Sequence, residues 1–393
     1  MTRPSRQSGF AVGEHLPIID HHCHSLLRQT PADVAAFRAL FTESREIRFI
    51  TQHLLQTVFY RRTIADLQVA YGVSGEETLV RTVAGIPPLE RARKLFAAAG
   101  LQMLLVDTGY RAEESLTLEE LSTVVPARPI LRIERTAEDL LAQSDDFDSL
   151  MVLLLGRIRE AAASGHVALK TVLAYRTGLR VQSHPAQTVR RAFAEVKAGA
   201  EGGRVRLDAK PLLDTMIWEV CRAAGPLGLP VQVHSGFGDA DLLLPEADPA
   251  WLRPLFEDPL CGETTFVLLH CYPFVREAAW LCGVYGHVYM DLSLTIPLIA
   301  HEAATALVEA LAYAPWSKVL LGTDAHSTPE LFYVAARALR EATTTALQQI
   351  RSRGYLTDED LPSIAAALLA ENARHVYRLD SPQQGAGRSG LTT

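Results

Sequence analysis

The chain has 393 residues, 48% of them hydrophobic and 21% charged, with a formal net charge of -7. That composition excludes extensive disorder and leaves ample apolar material for a large core. Mild acidity without any basic run interleaved with aromatics argues against nucleic acid or an anionic membrane as partner, and for a small-molecule substrate.

Cys23, Cys221, Cys261, Cys271 and Cys282 form no CxxC pair and are odd in number, which argues against a disulfide framework or a thiolate zinc site and fits a reducing cytosol. Met1 to Gly13 lacks the apolar core of a secretory signal, and no run approaches the ~18 apolar residues of a membrane span. A cytoplasmic protein is expected, with a homo-oligomer compatible.

In chain order, short apolar stretches rich in β-branched residues alternate with longer stretches of helical period. The predicted strands are Ile18 to His24, Gln102 to Thr108, Pro129 to Ile133, Val167 to Leu173, Pro230 to His234, Phe266 to His270, Val288 to Leu292 and Val319 to Asp324. Their continuously apolar character is that of parallel strands covered on both faces. Residues 25–100, with helical patterns such as Phe49 to Leu67, separate the first two strands far beyond a usual βα loop and read as a helical insertion over the active-site mouth. Leu212, Leu213, Met216, Ile217, Val220 and Ala224 have helical spacing, and Gly225 marks a stop. Thr328, Pro329 and Glu330 supply a cap, a first-turn proline and an acidic first turn for the helix after the eighth strand. Lys197 to Arg206 reads as an exposed loop, and neither it nor residues 381–393, a flexible tail, is expected to carry chemistry. The expected fold is α/β, a TIM-type (β/α)8 barrel in a single domain, residues 1–380.

The first strand contains Asp20-His21-His22-Cys23-His24. Alternation places Asp20, His22 and His24 on one face and His21 and Cys23 on the other, so two imidazoles are positioned to chelate one cation from the barrel interior. His234 ends the fifth strand, His270 the sixth and Asp324 the eighth. In a barrel these strand ends converge on one mouth, where catalytic residues collect. The alternative is a capping aspartate among buried histidines. Lys170 sits inside the apolar fourth strand, where a lone ammonium costs several kcal/mol unless compensated. It is either carbamylated into an anionic bridging ligand, cationic and bound to a substrate carboxylate, or outward-facing and snorkelling past a helix.

The order of HxH on strand one, Lys on four, His on five, His on six and Asp on eight resembles the amidohydrolase superfamily. The segments Leu169 to Leu179, His234-Ser235-Gly236-Phe237-Gly238-Asp239, Leu268 to Pro273, Gly322-Thr323-Asp324-Ala325-His326 and Glu371 to Arg374 resemble, more narrowly, the amidohydrolase domain of nodulin and FluG-type proteins. The resemblance spans Ile18 to Leu379. It implies that His22, His24 and Asp324 bind one divalent metal, zinc or manganese. With a carbamylated Lys170, His234 and His270 hold a second ion. In a single-ion site His234 completes the ligand set and His270 stands beside it to move a proton or polarise a carbonyl.

Around this set, Arg176 is a candidate clamp for a substrate carboxylate or a surface ion pair. His326 and Asp239 are candidate substrate contacts, with a helix approach and a turn cap as their plainer readings. Asp241 and Asp291 share that ambiguity, and Arg61 and Arg62 read as a solvated helix face. The chemistry expected is hydrolysis of a C–N, amide-type bond in a small carboxylate-bearing substrate by metal-activated hydroxide, with Asp324 exchanging the proton. Decarboxylation or sugar-acid isomerisation on the same barrel is the first alternative. A non-catalytic, metal-stabilised binding or signalling module is the second, suggested by the glutamine-synthetase fusions of the proteins it resembles.

Overall fold

The computed structural model describes residues 10–13, 16–199 and 205–380. Eight parallel strands follow one another in sequence order around a single sheet: β1 (Ile18–Cys23), β2 (Leu101–Asp107), β3 (Ala127–Arg132), β4 (Ala168–Thr171), β5 (Val231–Ser235), β6 (Phe266–His270), β7 (Val288–Asp291) and β8 (Val319–Leu320). The ring closes through the segment after β8, where Asp324 N–H donates to His22 O at 3.0 Å and Ala325 O accepts from His24 N–H at 2.8 Å. This is the expected TIM-type barrel. All five cysteines are buried and unpaired. No helix among the described residues is long and apolar enough to cross a membrane.

The interior between the strands is small and apolar, built from Ile19, Leu105, Ile130, Ala168, Val267, Leu269 and Leu320. The same cluster contains Ala370, Ala373, Val376 and Tyr377 from the C-terminal helical segment, which floors the barrel. A larger outer cluster joins strands to helices and contains Ile18 and Cys23. The helix Lys210–Ala224 ends before Gly225, where the sequence signals a stop.

Three local expectations are corrected. The β8 ladder stops at Leu320, four residues before Asp324, so the carboxylate sits on the irregular segment bonded to β1 rather than on a strand end. Strict alternation in β1 fails at a register shift between Asp20 and Cys23. Ile19 belongs to the interior and Ile18 and Cys23 to the outer layer, so His21 points inward together with its neighbour His22, while Asp20 accepts bonds from Thr323. The Thr328 hydroxyl makes no helix cap; it donates to the Glu330 carboxylate.

Between β1 and β2 lie the helices Val34–Arg38, Val58–Tyr71, Glu76–Ala84 and Pro88–Ala99. The pattern read over Phe49 to Leu67 divides at Thr57, whose hydroxyl accepts from Tyr60 N–H at 3.2 Å and starts a new helix. Arg61 and Arg62 line a separate groove, and Arg62 pairs with Asp66 and Glu341. Lys197 is in the helix Ala186–Gly199, Arg206 lines the cavity described below, and 200–204 lie outside the described residues, as do 381–393.

Candidate metal centre

The C-terminal ends of the strands open into a cavity of ≈ 210 Å³ lined by His22, His24, Lys170, His234, His270 and Asp324, with Arg176, Asp239 and His326 further out. The structure thus gathers the predicted ligands, Lys170, Arg176, Asp239, Asp241 and His326 around one space, and leaves Asp291, Arg61 and Arg62 outside it. Within it, ligand atoms of His22, His270 and Asp324 lie within 4.8 Å of one another. Asp324 Oδ1 is 3.1 Å from His22 Nε2 and 3.3 Å from His24 Nε2, and Asp324 Oδ2 is 3.9 Å from His270 Nε2.

Each of these imidazoles is turned by a partner at its other nitrogen. His22 Nδ1 meets Gln232 Oε1 at 2.8 Å, His24 Nδ1 meets Asp107 O at 3.4 Å and His270 Nδ1 meets the Ser293 hydroxyl at 2.9 Å. All therefore present Nε2 to Asp324. His234 is set differently: its ring packs on His270 with centroids 4.4 Å apart, and its Nε2 meets Phe237 O at 3.2 Å. The loop that arranges this needs its glycines. Gly236 has φ +71°, and an added Cβ would stand 2.3 Å from Tyr272 O; at Gly238 it would overlap the Tyr175 hydroxyl. His270 and Asp324 themselves hold left-handed backbone, φ 68° and 51°, a strain that concentrates at functional positions.

Burial sets the charge states. It lowers His22 to about 3 and His270 to about 4, with the nearby Lys170 acting the same way, and holds His234 well below its usual value. These rings are neutral at neutral pH. Burial works to raise Asp324; protonated His270, His22 and His24 would outweigh it and hold the carboxyl well below its usual range, and with those rings neutral a cation bound against them would do the same. Lys170 is 1% exposed, with Nζ 3.4 Å from His22 Nε2; burial lowers it to about 8, opposed by Asp324 and Asp107.

This donor set fits a divalent cation. Gln232 Nε2 donates to His21 O and to the Tyr377 hydroxyl, so its Oε1 accepts and His22 Nδ1 carries the hydrogen. The Nε2 of neutral His22 is then a bare lone pair facing the anionic Asp324 Oδ1, itself buried without a hydrogen-bond partner. Two acceptors at 3.1 Å repel unless a cation lies against both. Zinc and manganese both accept nitrogen and carboxylate ligands of this kind.

The outer lining differs from expectation in its pairings. Arg176 Nη1 is already bonded to Glu138 at 3.0 Å and to Leu207 O at 3.2 Å, though its Nε and Nη2 have no partner among the described residues. Asp239 pairs with Arg45 of the insertion at 2.5 Å, and Asp241 lies 3.6 Å from the same arginine. His326 Nδ1 meets the Ser327 hydroxyl at 2.7 Å, and burial lowers the ring to about 4. Asp291 accepts from the backbone N–H of His270 and faces His21 rather than the cavity.

Several residues in or behind the cavity wall escaped the sequence reading. Asp107 and Arg132 end β2 and β3 and form an ion pair at 2.5 Å. The rule that singled out Asp324, a polar residue ending an apolar strand, applies to both. Gln232 stands two residues before His234 and shares its period-2 face. Glu43, brought in by the insertion, has no such signal; burial, then Asp324 and Asp239, raise it to about 7.

Known proteins share this architecture over nearly the whole chain. Protein fluG of Emericella nidulans is 29% identical over 417 residues, covering 96% of this chain and 47% of fluG, so the chain spans about half of that relative's length. A crystal structure from Lactobacillus casei, provisionally described as a metal-dependent hydrolase, aligns with a TM-score of 0.84 at 26% identity over 93% of this chain and 96% of that one. Uronate isomerase of Thermotoga maritima shares the fold, with a TM-score of 0.65 and 13% identity over 93% and 95% of the two chains. The sequence profile of the amidohydrolase family matches residues 167–379, the stretch that supplies Lys170, His234, His270 and Asp324 to the rim, and the chain belongs to that family.

Proposed function

We propose that the protein is a metal-dependent hydrolase that cleaves a C–N, amide-type bond in a small carboxylate-bearing substrate. The observation that carries the reading is the bare His22 Nε2 lone pair facing the anionic Asp324 Oδ1. His22, His24, His270 and Asp324 would hold a single zinc or manganese ion, because these imidazoles present Nε2 to the carboxylate whereas His234 Nε2 engages Phe237 O. When bound, such an ion polarises a carbonyl oxygen and lowers the pKa of water enough for attack near neutral pH.

The remaining work falls to side chains. Asp324 takes the proton from the attacking water and returns it to the leaving nitrogen, a role supported by its position on the cavity lining beside His22 and His24. His234, neutral and beside His270, is placed to orient the substrate carbonyl. Arg176, through Nε and Nη2, and the amine of Lys170 are the donors on the cavity wall that a substrate carboxylate would meet. A cavity of ≈ 210 Å³ suits a small molecule.

Mass analysis of reaction products tests the reaction class: hydrolysis adds the elements of water, whereas loss of carbon dioxide or an unchanged mass would replace this reading with a decarboxylase or an isomerase. Lys170→Met tests the metal count. In the single-ion reading the variant keeps its metal by elemental analysis while kcat/KM falls roughly 10- to 100-fold, the loss expected for one charged hydrogen bond. Loss of metal, with wild-type reconstitution dependent on bicarbonate, would establish instead a carbamylated Lys170 bridging two ions.

A further inference from the structure

Beneath the centre, polar side chains form one buried chain whose direction can be worked out link by link. Gln232 Nε2 donates to His21 O at 2.8 Å and to the Tyr377 hydroxyl at 2.8 Å. Its Oε1 accepts from His22 Nδ1 at 2.8 Å. Tyr377, having accepted from Gln232, gives its hydroxyl hydrogen to His21 Nδ1 at 3.0 Å. His21 therefore carries its own proton on Nε2, which lies 2.8 Å from Asp291 Oδ2, angled off the line of a straight hydrogen bond. Every donor points the same way, from His22 toward the Asp291 carboxylate. Asp291 Oδ1 then accepts the backbone N–H of His270 at 2.6 Å, so the chain ends on a second residue of the centre.

Packing alone does not explain these residues. Their surroundings are Ile19, Leu269, Val376 and other apolar groups, and His21, His22, Gln232 and Asp291 are fully buried. In such a place well-packed hydrophobic side chains serve stability as well as a polar network or better. What a directed network supplies is orientation. Metal-binding histidines are commonly fixed by a carboxylate or carbonyl on the second ring nitrogen, which sets the tautomer and raises ligand basicity. Here the nearest acceptor is an amide, and the carboxylate stands at the far end of the chain.

We propose that Asp291, His21, Tyr377 and Gln232 form a one-directional hydrogen-bond relay that fixes His22 in its Nδ1–H tautomer and aims its Nε2 lone pair at the metal. This makes Tyr377, on the C-terminal segment that floors the barrel, a positioning residue of the centre. The inference rests on the single-ion reading above for its effect on metal, but not for the tautomer itself.

Two measurements separate these parts. Imidazole nitrogen NMR of metal-free protein reads the His22 tautomer, and titration with zinc reads affinity. His22 should appear as Nδ1–H in the wild type and lose that preference in Gln232→Leu. Gln232→Leu and Tyr377→Phe should each weaken zinc binding by roughly 10- to 100-fold. The double variant should bind no more weakly than Gln232→Leu alone, because both cut one chain and their effects do not add. A merely structural role would lower the unfolding midpoint while leaving tautomer and affinity at wild-type values, and that result overturns the relay. Additive losses would overturn it as well. If the wild type binds neither zinc nor manganese, the metal-centre reading fails, and the nitrogen spectra alone decide whether the relay sets the tautomer.

Discussion

Asp324→Asn is expected to lower kcat/KM by ~10³-fold or more, and to do so without unfolding the protein. Asparagine keeps the shape of the side chain, tolerates the left-handed backbone at this position (φ 51°) and keeps the backbone bond from residue 324 to His22 O. It removes the negative charge on which a divalent ion and the proton transfer both depend. In metal-free protein the amide can donate to His22 Nε2 or His24 Nε2, at the positions where the carboxylate oxygen lies 3.1 and 3.3 Å from them. Repulsion between acceptors becomes a hydrogen bond, so the metal-free variant should unfold at a temperature equal to or above that of metal-free wild type. Such a gain in stability with loss of activity is the usual trade at a functional site. Near-wild-type turnover in this variant would remove Asp324 from the mechanism; a large drop in stability would show that its charge serves the fold.

Arg91→Met is expected to cost ~3–5 kcal/mol of stability, measured by urea unfolding. Arg91 lies on the helix Pro88–Ala99, and its Nη1 reaches Glu330 Oε2 at 2.5 Å and the Thr328 hydroxyl at 3.2 Å, while its Nε donates to Ile86 O at 3.0 Å. Glu330 also accepts from Tyr71 of the helix Val58–Tyr71 and from Thr328. Arg91 is 3% exposed and Glu330 not at all, so water cannot replace the lost partner. The network fastens the segment between β1 and β2 to the first turn of the helix Pro329–Ser352, which starts just after Asp324. Because an unpaired buried charge is what destabilises, adding Glu330→Leu to Arg91→Met should recover most of the loss. A single variant within ~1 kcal/mol of wild type would mean that the pair is worth no more than a surface one.

The barrel was legible because each parallel strand, covered on both faces, needs a continuous apolar run, and such runs are visible without any partner in view. The rim was legible for the same reason: His234, His270 and Asp324 interrupt those runs at their downstream ends. What the sequence hid depends on contacts between distant segments. The shift in β1 that turns both His21 and His22 inward follows from pairing with β2, and strict alternation cannot anticipate it. Arg176 reads equally as a substrate clamp or an ion pair until Glu138 is seen 3.0 Å away. Glu43 and Arg45 enter the cavity from an irregular stretch of the insertion whose docking no local pattern encodes. Asp107 and Arg132, by contrast, were within reach, since they end their strands as Asp324 was expected to end its own.

In the proposed reading, His22, His24, His270 and Asp324 hold a divalent metal on which turnover depends. Elemental analysis of protein before and after chelation, with activity followed in parallel, tests it most directly. Stoichiometric zinc or manganese is expected in the purified protein, with loss of turnover as the metal is removed and its return when either ion is restored. Full turnover by metal-free protein would contradict it.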